Sequence, residues 1–131
     1  MKTLLLLALT FFSITFFSNT LLAQQPGQMP GDQKCDFPTY KGTEIDKKLR
    51  ILEKPEPKFS SRERWEHARE RVILITVFCR SGEVTKIRVK TGVSDSVDAK
   101  AIEAARKIRF TPGEKDGKKV SQWLTVEYYI Q

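Results

Sequence analysis

Residues 72–79 read VILITVFC, eight positions without a charge, a glycine or a proline. β-Branched and aromatic side chains of this kind favour an extended backbone. In a strand they project alternately, with Val72, Leu74 and Phe78 on one side and Ile73, Ile75 and Val77 on the other. A strand apolar at both parities has to be covered on both faces. The rest of the chain must therefore supply layers around it.

The residues that follow offer such layers. Arg80-Ser81-Gly82-Glu83 predicts a hairpin turn in which Gly82 can take a positive φ, and Val84–Lys90 returns as a half-polar strand with Ile87 and Val89 inward. Ser96 is placed to cap a helix running from Val97 to about Arg109. Asp98 sits in its first turn and Arg106, Lys107 and Arg109 in its last, as the helix dipole favours. Val97, Ala101, Ala104, Ala105 and Ile108 form the apolar stripe. Alanines at the centre of that stripe let the helix axis lie close to a sheet. Thr111-Pro112-Gly113 ends the helix and Asp116-Gly117 turns the chain.

Val120–Ile130 then predicts a strand of about eleven residues, longer than the usual five or six. Val120, Leu124, Val126, Tyr128 and Ile130 share one parity; Trp123, Thr125, Glu127 and Tyr129 share the other. At a sheet edge, such a strand leaves a row of main-chain donors and acceptors that another peptide can pair with.

Ahead of the central strand the pattern is weaker. From Cys35 to Phe59 the chain reads as an extended entry with apolar positions at Ile45, Leu49, Ile51 and Leu52, and Pro55 and Pro57 exclude helix around them. Ser60–Arg69 predicts a short helix: Ser60 and Glu63 have capping-box spacing, and Trp65 and Ala68 lie three residues apart on one face.

The first 23 residues form a targeting segment, with Lys2, an apolar run from Leu4 to Phe17 and small Ala23 at the expected cleavage position. The alternative is an uncleaved inner-membrane anchor, since a span needs about 20 apolar residues. Cys35 lies too far downstream of Ala23 for a lipoprotein. Residues 24–38 form a flexible leader rich in Gln, Pro and Gly, and residues 39–131 one domain. The formal charge of +7 falls to +6 without Lys2. In an exported chain that excess reads as a solvated basic surface and general electrostatic steering, with no nucleic-acid partner implied.

Two cysteines in an exported chain raise the question of a Cys35–Cys79 disulfide that would tie the leader to the sheet; free thiols are the alternative. There is no CxxC pair, which disfavours thiol-redox chemistry. His67, with Glu63 and Glu70 within a helical turn, reads as a solvated face, because a metal site needs more His or Cys ligands converging. No nucleophile–base arrangement and no phosphate cradle is present. The expectation is a protein without catalytic residues, metal or cofactor.

Four ordered segments, "KPEPKF", "VILITVFCRSGEVTKIRV", "AIEAARKIRFTP" and "KDGKKVSQWLTVEYYI", resemble the TonB C-terminal domain, especially its short, stand-alone bacterial relatives. The match covers about residues 39–131. It implies an α+β fold in two layers, an antiparallel sheet of about three strands with two helices packed on one face. It also implies a periplasmic protein-binding role: recognition of the TonB box of outer-membrane transporters by β-strand addition, with a part in energy-coupled transport. Carried over by position, Trp123, Thr125, Glu127 and Tyr129 offer the pairing edge, and Pro55, Pro57 and Phe59 sit beside the bound box. ExbB and ExbD are implied as partners only if the N-terminal segment is retained as an anchor. Full-length transducers carry a histidine in that anchor and a long Pro-rich spacer. This hydrophobic segment lacks the histidine, and the chain has an eleven-residue Gln/Pro/Gly stretch in place of the spacer. The alternative role is a self-associating periplasmic accessory, a homodimer paired edge to edge.

Overall fold

The computed structural model describes Cys35 and residues 38–131. The targeting segment and nearly all of the leader lie outside the described residues. Among the described residues, no helix is long and apolar enough to cross a membrane.

In chain order the elements are β1 (Thr39–Tyr40), β2 (Arg50–Glu53), α1 (Ser61–Glu66), β3 (Arg71–Phe78), β4 (Val84–Thr91), α2 (Asp95–Arg106), β5 (Arg109–Thr111), β6 (Gly113–Lys115) and β7 (Lys118–Tyr129). The sheet expected to have about three antiparallel strands is larger and mixed. Its order is β1-β7-β3-β4 with β6 also on β7, and β2 and β5 form a separate antiparallel pair. β1 runs parallel to β7, matching Thr39 with Ser121 and Tyr40 with Gln122. β1, β2, β5 and β6 are two to four residues long, too short to display an alternating pattern.

β3 is the centre of the sheet, antiparallel to both β7 and β4. Its inner side chains Val72, Leu74 and Phe78 are buried with Val97, Ala101, Ala104 and Ala105 of α2, with Phe59 and Phe110, and with Val126, Tyr128 and Ile130 from the chain end. Burying each large side chain here is worth about 1.5–3 kcal/mol. The two fully buried alanines, Ala101 and Ala105, let α2 settle against the strands, as the small-residue stripe predicts. On the opposite face cover is partial: Val77 is buried beneath Cys35, Cys79 and Trp123, whereas Ile73 and Ile75 are half-buried.

Several boundaries differ from the sequence expectation. α2 begins two residues earlier, capped by Ser94, whose extended backbone (φ −152°) lets its side chain accept from Val97 N–H. It ends at Arg106, with Lys107 as C-cap. Arg109 starts β5, and extension there carries Phe110 into the core edge-on to Phe78, ring centroids 4.7 Å apart. α1 stops at Glu66, because His67 leaves helical geometry and Arg69 adopts φ 73°. It buries no side chain, and Trp65 stands 83% exposed. The helix layer on the sheet is therefore α2. α1 is strapped to it by polar contacts, with Glu63 accepting from Lys100 Nζ and Ser96 Oγ, each at 2.6 Å. Val89, expected inward, is 41% exposed on β4, a strand with register shifts along its pairing to β3.

Candidate functional site

β7 is twelve residues long and its two rims are not equivalent. One rim pairs with β3 from Gln122 to Tyr129. On the other, β1 pairs at Ser121 and Gln122, and from Trp123 to Tyr129 no strand lies alongside among the described residues.

In an antiparallel ladder, alternate residues direct both main-chain groups to the partner, and those between direct theirs away. Three contacts fix the phase. Ile130 N–H donates to Glu70 O at 3.0 Å, and Thr76 Oγ donates to Leu124 O at 2.8 Å, so even-numbered residues face β3. Glu127 O instead accepts from Lys54 Nζ at 2.6 Å, on the outer rim. The outward groups thus belong to Trp123, Thr125, Glu127 and Tyr129, the four positions singled out by parity in the sequence. Their side chains lie on the sheet face opposite α2, while Val126, Tyr128 and Ile130 are buried beneath it.

Each of the four has its own surroundings. Trp123 packs over the Cys35–Cys79 disulfide (Cα–Cα 5.4 Å) and Val77, with the Arg88 guanidinium 5.8 Å from its ring. Thr125 is exposed. The Glu127 carboxylate accepts from Arg71 Nη1 at 3.3 Å and from the Tyr129 hydroxyl at 3.1 Å. Tyr129 is 50% exposed, an aromatic face offered to solvent. The hydrogen bond to the Tyr129 hydroxyl, and after it the charge of the Glu127 carboxylate, keep the Arg71 guanidinium protonated more firmly than usual.

Pro57 and Phe59 meet Glu127 and Tyr129 around one cavity of about 390 Å³, which Lys54 and Arg64 also line. Phe59 is only 8% exposed, so it serves the core as well as the cavity. Pro55 does not join them. It lines a separate cleft with Lys58, Lys100 and Glu103, on the side of α2. A further groove of about 510 Å³ runs between Leu49 and Ile51 on one side and Gln122 and Leu124 on the other. Lys54, Arg71 and the β2 wall went unnoticed in the sequence, because nothing local to them marks a contact made more than 50 residues away.

His67, Glu63 and Glu70 do not converge. His67 Nδ1 lies 3.2 Å from Glu70 Oε1, whereas the Glu63 carboxylate is taken by Ser60 N–H, Ser96 and Lys100. Among the described residues no group of three His, Cys, Asp or Glu side chains could hold a metal ion. What the site offers is a preformed rim of main-chain donors and acceptors, flanked by grooves.

The family model for the Gram-negative bacterial TonB protein C-terminal matches residues 55–130. The solution NMR structure of the Pseudomonas aeruginosa TonB CTD superposes with a TM-score of 0.53 at 23% sequence identity, covering 66% of this chain and 88% of that one. No curated protein matches the chain.

Proposed function

This chain belongs to the Gram-negative bacterial TonB protein C-terminal family, and from that premise we propose that it is a periplasmic peptide-binding domain that captures an extended segment by adding it to β7. The ligand class is the TonB box of an outer-membrane transporter, as the family resemblance implies. One observation carries the reading: beyond Gln122 the outer rim of β7 continues for seven residues with no strand beside it among the described residues. Main-chain pairing there supplies affinity, and the flanking cavities and alternate side chains supply selectivity.

Thr125 is the position to test. Its N–H faces outward, so proline at that place removes a donor from the rim without touching the ladder to β3. Capture of TonB-box peptides by the wild-type protein, and its loss in Thr125→Pro, supports the reading; equal capture by both removes it. A tight dimer with the rim occupied, seen by sedimentation, would transfer the reading to self-pairing. A part in energy-coupled transport, with ExbB and ExbD as partners, further requires the N-terminal segment to stay in the inner membrane, and fractionation of the native cell envelope decides that.

A further inference from the structure

The family match begins at Pro55, yet the groove beside β7 has a wall built from residues before it. Leu49 and Ile51 face Gln122 and Leu124 across about 510 Å³, with Lys41 and Lys48 among the lining residues. Leu49 and Leu124 are themselves partly buried against the main core, so the floor of the groove is apolar. Gln122 is only 5% exposed, and its Oε1 has no hydrogen-bond partner among the described residues. A buried acceptor left in that condition is costly unless an occupant of the groove supplies a donor.

The wall is held in place. Asp46 and Lys47 N–H both donate to Glu114 O at 3.0 Å, and Glu114 N–H donates to Lys47 O at 2.8 Å. Gly113 lies so near that a Cβ there would stand 2.8 Å from Lys47 O and 3.2 Å from Leu49 N. Further back, β1 is paired to β7 and Cys35 is bonded to Cys79. A binding surface fixed in advance loses little conformational freedom when its ligand arrives.

We propose, resting on the edge reading above, that this groove is a side-chain subsite for the captured peptide. It accepts one apolar side chain of about leucine size, from the peptide residue that lies opposite Leu124, while Gln122 Oε1 accepts a hydrogen bond from the peptide. The argument is one of register. In a strand added to β7, the residue opposite Leu124 projects to the same face as Leu124 and so enters the groove. Its two neighbours project to the other face, beside Trp123 and Thr125. The ligand class narrows to an extended segment with one obligatory apolar position, polar residues being tolerated on either side of it. Lys41 and Lys48 disfavour a cationic side chain there.

The test uses TonB-box decapeptides made as a positional series, with leucine, alanine or aspartate at each place in turn. Binding is read by fluorescence anisotropy against the secreted, oxidised protein. A single position is expected at which leucine to alanine weakens binding about tenfold. That loss should shrink to under about threefold in Ile51→Ala, as coupling between contacting groups requires. Ile51 is 41% exposed, so its truncation leaves the core intact. A second variant, Gln122→Met, keeps the volume, removes the acceptor and should weaken every peptide a few-fold. Should binding be abolished by Thr125→Pro while no position distinguishes leucine from alanine, or while the distinction persists undiminished in Ile51→Ala, the subsite is refuted and the edge reading stands. Absence of binding by every peptide refutes both.

Discussion

The Lys54 ammonium closes over the outer rim of β7 by donating to the Glu127 carbonyl oxygen at 2.6 Å, with the nitrogen also 4.5 Å from the centre of the Tyr128 ring. A strand added at this rim needs the same carbonyl, so the lysine competes with the ligand. An exposed, charge-assisted hydrogen bond contributes about 0.5–1.5 kcal/mol net. Lys54→Met keeps the apolar stem and removes the competing donor. The expected result is about a three- to tenfold gain in affinity for TonB-box peptides, seen by calorimetry. Weaker binding would mean that the ammonium helps to hold the peptide.

A second relationship ties the two helices. The Glu63 carboxylate accepts from Lys100 Nζ, Ser96 Oγ and Ser60 N–H. These partners, Lys100 foremost, hold it far below the usual carboxylate range. A carboxylate with a depressed folded-state pKa contributes stability above its ordinary value of 4.5 and loses it as pH falls below that point. Glu63→Ala should therefore lower Tm at pH 7. The gap to wild type should narrow in melts taken at progressively lower pH, because below the ordinary value the unfolded chain's carboxylate takes up a proton that the folded one still refuses. A gap unchanged at pH 3 would show that the effect does not come from the Glu63 charge and its partners.

These contacts mark what the sequence could and could not reveal. β3, the alanine stripe of α2 and the parity of β7 are legible because side-chain periodicity is a local property, and it led directly to Trp123, Thr125, Glu127 and Tyr129. The start of α2 is different. Ser94 and Ser96 are both suitable caps, and the choice falls to Ser94 because its side chain reaches Val97 N–H while Asp98 Oδ1 takes Val93 N–H. The Ser96 hydroxyl is drawn instead to Glu63, 33 residues earlier. β1, β2, β5 and β6 carry too few residues for a pattern, and only the tertiary fold gives them partners. Pro55 was grouped with Pro57 and Phe59 because the family resemblance places that segment beside the bound box, yet Pro55 lines the cleft on the side of α2, and Pro57 lines both that cleft and the one beside Tyr129.

Tyr128 separates packing from polarity in the core. Its ring is 1% exposed and its hydroxyl has no hydrogen-bond partner among the described residues. Burial, and secondarily the Glu56 carboxylate, push the phenol up to about 12. The folded state thus prefers the neutral phenol. Stability is whole below the ordinary value of 10.0 and declines as pH rises from there through about 12. Tyr128→Phe should leave stability within about 1 kcal/mol of wild type or raise it, since it deletes an unsatisfied group. Tyr128→Ala should cost about 3–5 kcal/mol through the cavity it leaves. Urea melts of both variants measure the difference, and the decline between pH 10 and 12 should vanish in Tyr128→Phe.

The Cys35–Cys79 bond lies beside the place where the outer rim of β7 begins, with Trp123 packed against it. It closes a sequence separation of 44 residues, a loop worth about 4 kcal/mol in the chain-entropy account of cross-linking. It also holds the chain just ahead of Thr39 and Tyr40, whose two-residue pairing to Ser121 and Gln122 is short for a ladder that must stand without a covalent tether. Replacing both cysteines by alanine should lower Tm. It should also raise amide exchange around Thr39–Tyr40 and Ser121–Gln122, while Val126 and Tyr128, on the rim bonded to β3, keep their protection. The same variant would lengthen the rim open to a peptide by those two residues, so decapeptides should gain contacts at their end nearest Gln122. If exchange at Ser121–Gln122 is unchanged, β1 holds to β7 by its own hydrogen bonds, and the disulfide sets stability without setting the start of the rim.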